Sequence, residues 1–140
     1  MGKKYYSEIR VIYADTDAMG IAYHANYLRW FEIGRSEWLR QIGYAYARLE
    51  KEGVWLPVTE VNCVYKLPAY YDDVLEIASW VDKLGGASII MAYEIKRKVT
   101  DELLVHGKTH HVVTGSDLKP IKLKRVRPDF YSMVIDSMAD

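Results

Sequence analysis

Residues 13 to 27 read Tyr-Ala-Asp-Thr-Asp-Ala-Met-Gly-Ile-Ala-Tyr-His-Ala-Asn-Tyr, and they concentrate the chemistry of the chain. Two carboxylates, Asp15 and Asp17, stand a few residues ahead of an imidazole, His24. Gly20 lies between them, in a stretch of short polar residues that reads as a loop. A long helical pattern follows. The first turn of a helix has backbone N–H groups without intrahelical partners and carries the positive end of the helix dipole. Such donors stabilise negative charge that develops on a carbonyl oxygen. A carboxylate attacks an electrophilic carbon or takes a proton from water. An oxyanion site, a carboxylate and an imidazole in one stretch are the parts of an acyl-transfer hydrolase. The same residues also suit a plain turn. Asp15, Thr16 and Asp17 are good turn formers, and His24 would serve as a capping or surface histidine.

The flanking elements must hold that stretch in place. Lys4 to Tyr13 alternates polar and apolar residues, with Ile9, Val11 and Tyr13 on one face, and predicts a strand. From about His24 to Ile42 the period changes. Tyr27, Trp30, Phe31, Gly34, Trp38 and Ile42 follow helical spacing, with Arg29, Glu32, Arg35, Glu37 and Arg40 between them. Asn26, or a residue just before it, is a candidate cap, and Gly43 is placed to end the helix. A short second helix is expected over about Ala45 to Glu52.

The rest predicts strands: Trp55 to Leu67, Val74 to Leu84, Ser88 to Val99 and Glu102 to Thr114. Gly85-Gly86 and Thr100-Asp101 read as tight hairpins, and Pro68 to Asp73 as a longer turn. Val61, Cys63, Tyr65, Leu75, Ile77, Val81, Ile89, Met91, Tyr93 and Ile95 form a dry set; Glu60, Asn62, Lys66, Glu76, Asp82, Glu94 and Lys96 form a wet one. The economical arrangement is an α+β fold in which a five-stranded antiparallel sheet wraps one long helix. Gly34, in mid-helix, would let the sheet approach closely. Residues 1 to 126 make one domain. Residues 127 to 140 form a C-terminal tail with a short helical pattern through Phe130, Val134 and Met138.

Composition narrows the function classes. A chain of 140 residues suits one domain and buries roughly two-thirds of its unfolded surface. The formal net charge is zero, so no global field draws the chain to nucleic acid. The basic run Lys119 to Arg127 has no interleaved aromatic platform and reads as a solvated segment. No apolar run is long enough for a membrane span, and the first ten residues lack the apolar core of a signal peptide. A single cysteine, Cys63, fits a reducing cytoplasm. Twelve tyrosines and four tryptophans suit interfaces and ligand pockets as well as a core. His106, His110 and His111 lie in one strand; alternation puts His106 and His110 together on the wetter face, where they read as exposed strand histidines, and no metal site is expected.

The chain resembles the hotdog-fold acyl-CoA thioesterases of the 4-hydroxybenzoyl-CoA thioesterase family, and in particular their bacterial YbgC-type branch. The matching residues run from Asp15 to Tyr27, then Phe31-Glu32 and Arg35, with a second match over Tyr65 to Asp73. The likeness covers about residues 5 to 123. It implies that Asp17 is the catalytic carboxylate, as nucleophile on the thioester carbon or as general base to water. It implies that His24 matches the branch's histidine and that its backbone N–H polarises the carbonyl. Tyr13 matches a tyrosine near the site, and Asp15 is not the acid or base. No cofactor is implied. The substrate is an acyl-CoA, with an acyl carrier protein as an alternative donor. The assembly is a homodimer with shared sites that pairs again into a dimer of dimers, a homotetramer. Residues around Val58 to Val61 and Tyr65 are expected on the facing side. Lys83, Lys96 and Arg97 are candidates for the coenzyme A phosphates. The alternatives are a dehydratase or hydratase acting on acyl thioesters, and a non-catalytic acyl-CoA binding module. The Pro-Gly-His-Phe-type stretch of hotdog dehydratases is absent, and a binder has no need of Asp17.

Overall fold

The computed structural model describes residues 3 to 139. Five strands, β1 (Tyr5–Arg10), β2 (Val58–Tyr65), β3 (Val74–Leu84), β4 (Ser88–Arg97) and β5 (Leu103–Val112), form one sheet in the order β1-β3-β4-β5-β2. Every neighbouring pair is antiparallel. Helix α1 (Asn26–Gln41) lies across the inner face, chiefly over β1 and β3. Its buried residues, Tyr27, Trp30, Phe31, Gly34, Trp38 and Leu39, recur at helical spacing and fill the space under the sheet. A Cβ on Gly34 would lie 2.4 Å from Ser79 Oγ, so the glycine is what lets β3 close on the helix. Phe31 stacks on Tyr93 of β4 at 4.4 Å between ring centroids.

Several expectations change in detail. The first strand stops at Arg10, and Tyr13 falls in a 3-10 turn, Tyr13–Asp15. Tyr13 therefore does not share a face with Ile9 and Val11; it is 81 % exposed. The cause is local: the Asp15 carboxylate accepts from the Ile12 N–H at 3.0 Å and folds the chain back. Asn26 is the first helical residue, and the residue just before it, the other expected cap position, is the N-cap: Ala25, which makes no side-chain cap. The predicted strand from Trp55 begins in earnest only at Val58, after Pro57, which has no N–H to give. Thr100-Asp101 sits in a wider loop, residues 98 to 102, rather than a two-residue hairpin.

The dry set is buried on β3 and β4, but on β2 Val61 and Tyr65 are exposed, because β2 is an edge strand and α1 lies chiefly over β1 and β3. The outer face is not wholly wet. Ala78, Trp80 and Ala92 form a small second cluster there, with the Lys4 ammonium over the Trp80 ring at 4.8 Å. His111 points inward at 2 % exposure, while His106 and His110, expected to be exposed, are half-buried on the other face.

The short helices α2 (Tyr46–Lys51) and α3 (Leu123–Val126) lead to α4 (Pro128–Ser137). Phe130 and Val134 of α4 are fully buried, and Phe130 packs on Tyr44 at 5.0 Å.

Candidate active site

The loop between β1 and α1 is tied at its base by Asp15. That residue is buried, and its carboxylate pairs with the Arg29 guanidinium as well as the Ile12 N–H. Its carbonyl accepts from the Asn26 side-chain amide at 2.7 Å and the Tyr23 N–H at 2.8 Å. Both ends of the loop thus converge on one residue. Beyond it the chain doubles back. Asp17 N–H donates to Ile21 O and Gly20 N–H to Asp17 O, each at 2.9 Å. The turn needs a left-handed residue, and Gly20 supplies it at φ +79°.

Asp17 stands at the tip of this turn, half-buried. One carboxylate oxygen, Oδ1, accepts from the Met19 N–H at 2.8 Å, which fixes the side chain. The other accepts no hydrogen bond among the described residues. Asp17, Ile21, His24, Tyr27, Tyr65 and Pro68 line a cleft of about 340 Å³, joined by Met19, Lys66 and Leu67. Its wall is mainly apolar, as an acyl pocket requires.

His24 and Ala25 form the turn that leads into α1. Their N–H groups find no partner among the described residues, whereas the Asn26 N–H donates to Tyr23 O at 2.9 Å. The His24 carbonyl accepts from the Tyr65 hydroxyl at 2.9 Å. The His24 ring is exposed beside Tyr23, 4.5 Å between centroids. An acidic side chain with a free oxygen and a residue with a free N–H at the entry to a helix therefore line one apolar cleft. That arrangement can hold a carbonyl by its oxygen and present a base or nucleophile to its carbon.

The second motif, Tyr65 to Asp73, is the scaffold of this loop. Ala22 N–H donates to Ala69 O at 2.8 Å, and Ile21 bridges Tyr70. Ala69 N–H donates to the Tyr27 hydroxyl at 3.2 Å. Arg97 clamps the segment from below, donating to Asp73 Oδ2 at 3.0 Å, Pro68 O at 2.6 Å and Glu102 at 2.6 Å. Each of its three guanidinium nitrogens is engaged there. Lys96 lies 3.7 Å from Asp101. Of the basic residues, the one on the cleft is Lys66, which the sequence reading passed over although it stands inside the second motif.

The structure thus brings Asp17 and His24 together and leaves Tyr13 apart, its ring edge-on to Tyr71 at 6.2 Å and outside the cleft wall. Tyr65, expected on the facing side, lines the cleft of its own chain. Burial raises the Cys63 thiol above its ordinary range, so it is no ready nucleophile.

A family model described as the thioesterase-like superfamily matches residues 11 to 133. This chain belongs to that superfamily. The match runs past residue 123 into α4, further than the motifs alone carried the likeness. The chain is 36% identical over 129 residues to the acyl-CoA thioesterase YbgC of Haemophilus influenzae, covering 89% of this chain and 93% of the relative. It is 37% identical over 116 residues to the acyl-CoA thioester hydrolase YbgC of Escherichia coli O6:H1, covering 83% of each. Among solved structures, the DHNA-CoA thioesterase of Staphylococcus aureus superposes with a TM-score of 0.90 at 35% identity. That match covers 95% of this chain and 89% of the other. The sheet wrapped on one helix is the hotdog architecture of these thioesterases, an α+β fold. No helix among the described residues is long and apolar enough to cross a membrane.

Proposed function

We propose that this member of the superfamily hydrolyses acyl-CoA thioesters to the free acid and coenzyme A. One observation carries the reading: Asp17, with one carboxylate oxygen free, and His24, with its backbone N–H free, line the same apolar cleft. In this reading the thioester oxygen sits against the His24 N–H at the positive end of α1, where charge develops as the carbon becomes tetrahedral. Asp17 acts in one of two ways. As a base it takes a proton from water while the hydroxyl adds to the carbon; the C–S bond then breaks and the thiolate takes the proton. As a nucleophile it forms an acyl anhydride and expels the thiolate, and water then opens the anhydride. Label found in Asp17 after a single turnover in heavy-oxygen water marks the nucleophilic route, because water that opens the anhydride at the aspartyl carbon leaves its oxygen there. A thiolate departs without much acid help, so no further acid is needed. The His24 imidazole stands at the cleft mouth, and Tyr13 is a flanking residue.

The basic residue nearest the pocket for the coenzyme A phosphates is Lys66. An acyl carrier protein is the alternative donor. The proposed assembly is a homodimer joined at the free edge of β2, with a second pairing to a homotetramer. The exposed Val58, Val61 and Tyr65 on that edge strand support it, since an apolar free edge is a liability in a monomer. Light scattering at micromolar concentration tests it, and a monomer mass rejects it. A reducing cytoplasm fits the free thiol of Cys63. The function itself is tested by thiol release from a panel of acyl-CoAs. Free thiol is expected. Double-bond formation without thiol would mean a dehydratase, and saturable binding with neither would mean a binding module.

A further inference from the structure

Polarising a carbonyl with backbone N–H groups requires that their peptides be held in one orientation. A peptide is planar with its C=O and N–H opposed, so a bond to the carbonyl aims the N–H on the other side. The Tyr23 carbonyl, bonded to the Asn26 N–H at 2.9 Å, holds the peptide that carries the His24 N–H. The His24 carbonyl, bonded to the Tyr65 hydroxyl at 2.9 Å, holds the peptide that carries the Ala25 N–H. The first bond is made within the turn. The second reaches across from β2, 41 residues along the chain.

We propose that Tyr65 is a positioning residue for the hydrolysis: its hydroxyl sets the His24–Ala25 peptide and couples the β2 wall of the cleft to the carbonyl-polarising turn. The ring is itself located, edge-on to Tyr27 at 5.4 Å and to His24 at 6.5 Å. Burial, then the neighbouring Cys63 thiol, drive the Tyr65 phenol well above its ordinary range. The hydroxyl is thus kept a proton donor at neutral pH. The role differs from that of Asp17: Tyr65 touches the main chain that meets substrate and takes no part in the proton or acyl transfer.

The proposal rests on the hydrolase reading above, and its test is built to separate the two. Tyr65→Phe keeps the ring and removes the O–H. Turnover is expected to fall about tenfold, with KM within about twofold and the thermal midpoint within about 2 °C of the parent. Repeated in a His24→Ala background, the substitution should cost the same factor, because the bond goes to the main chain and survives loss of the imidazole. Parental turnover in Tyr65→Phe, with Asp17→Asn inactive, overturns the positioning role and leaves the hydrolase reading standing. So does a loss that vanishes in the His24→Ala background, which would route the hydroxyl through the imidazole. A lowered midpoint with undiminished turnover of the folded enzyme makes Tyr65 a packing residue and overturns it too. An active Asp17→Asn enzyme sinks the reading of the site, and the role of Tyr65 with it.

Discussion

The buried Asp15 carboxylate pairs with the Arg29 guanidinium two residues ahead of the carboxylate that faces the cleft. The two acids are close in the chain and opposite in circumstance. Asp15 has every oxygen engaged at the root of the loop, and Asp17 has one oxygen free at its tip.

Their variants should therefore fail differently. Asp17→Asn keeps shape but is a poor nucleophile and no base; turnover should fall by at least about 100-fold, with folding and acyl-CoA affinity intact. Asp15→Asn should lower stability by about 1–3 kcal/mol while turnover of the folded enzyme changes far less. Arg29 is half-exposed, so solvent trims the ion-pair share and the bond to Ile12 N–H carries much of the rest. Turnover, thermal midpoint and ligand affinity are measured for both. Equal losses of turnover with lowered midpoints would return both acids to the role of turn residues.

Lys66 is exposed on the cleft and forms no ion pair among the described residues. Lys66→Gln should raise KM for an acyl-CoA by about three- to tenfold at low salt, with little change in kcat. Added salt should raise the parent's KM towards that of the variant. A pantetheine thioester, which lacks the nucleotide phosphates, should respond to neither. Equal KM values for parent and variant at low salt would show that the phosphates are held elsewhere.

His111 should make the fold sensitive to acid. Its Nδ1 lies 3.0 Å from the Leu56 carbonyl, which only accepts, so Nδ1 carries the proton and Nε2 accepts from the Thr109 hydroxyl at 2.7 Å. Thr109 in turn accepts from the Tyr93 hydroxyl at 2.7 Å. Burial, reinforced by the charges of Arg35 and His110, lowers the His111 pKa to about 4, against a partial counterweight from the Leu56 bond. Above the unfolded value near 6.5 neither state is protonated and the full stability is present. As pH falls from there towards about 4, only the unfolded chain takes up the proton, and stability falls by up to about 3 kcal/mol. Urea midpoints at pH 7 and pH 4.5 should differ less for His111→Gln than for the parent. An identical pH dependence in both would refute the assignment.

Two glycines should rank in a defined order. A Cβ on Gly107 would stand 2.2 Å from the Asn62 carbonyl oxygen and 2.9 Å from the Phe31 ring. Gly107→Ala must part β5 from β2 or displace Phe31, at about 3 kcal/mol or more. Gly34→Ala meets side chains only, Ser79 Oγ and Ile77 Cγ2, and regains about 1 kcal/mol of helix propensity. Its net cost should be smaller, and Ser79→Ala should recover part of it, since that hydroxyl is buried without a partner among the described residues. Thermal midpoints of Gly107→Ala, Gly34→Ala and the Gly34→Ala/Ser79→Ala double variant check the order.

Helix α1 and the loop that carries Asp17 and His24 were legible because helical spacing, Gly20 and the short polar residues are local signals. Gly34 was legible for the same reason, since a glycine inside an apolar helical stripe calls for a close neighbour. Gly107 was not: what crowds it is the Asn62 carbonyl on β2, the neighbouring strand of the sheet. The place of Tyr13 was misread because alternation continues past Arg10, and the turn that ends the strand depends on where one Asp15 oxygen reaches. His111 carried a usable signal, for parity sets it with Thr109 and Val105 on the dry face, opposite His106 and His110. Arg97 carried none: its partners Pro68, Asp73 and Glu102 meet only after the sheet has formed.

The free N–H groups at the start of α1 have a consequence for isotope exchange. In the same loop the Ala22 amide is tied to Ala69 and the Asp17 amide to Ile21, while those of His24 and Ala25 are held in place with nothing to donate to. Protection should therefore be patchy over a few residues, with slow amides at 17 and 22 and fast ones at 24 and 25 in a backbone that does not fray. A ligand whose oxygen occupies the polarising position should slow the fast pair and leave the slow pair as it was. The amides that do the chemistry would then be identified by deuterium uptake alone, without a turnover being measured.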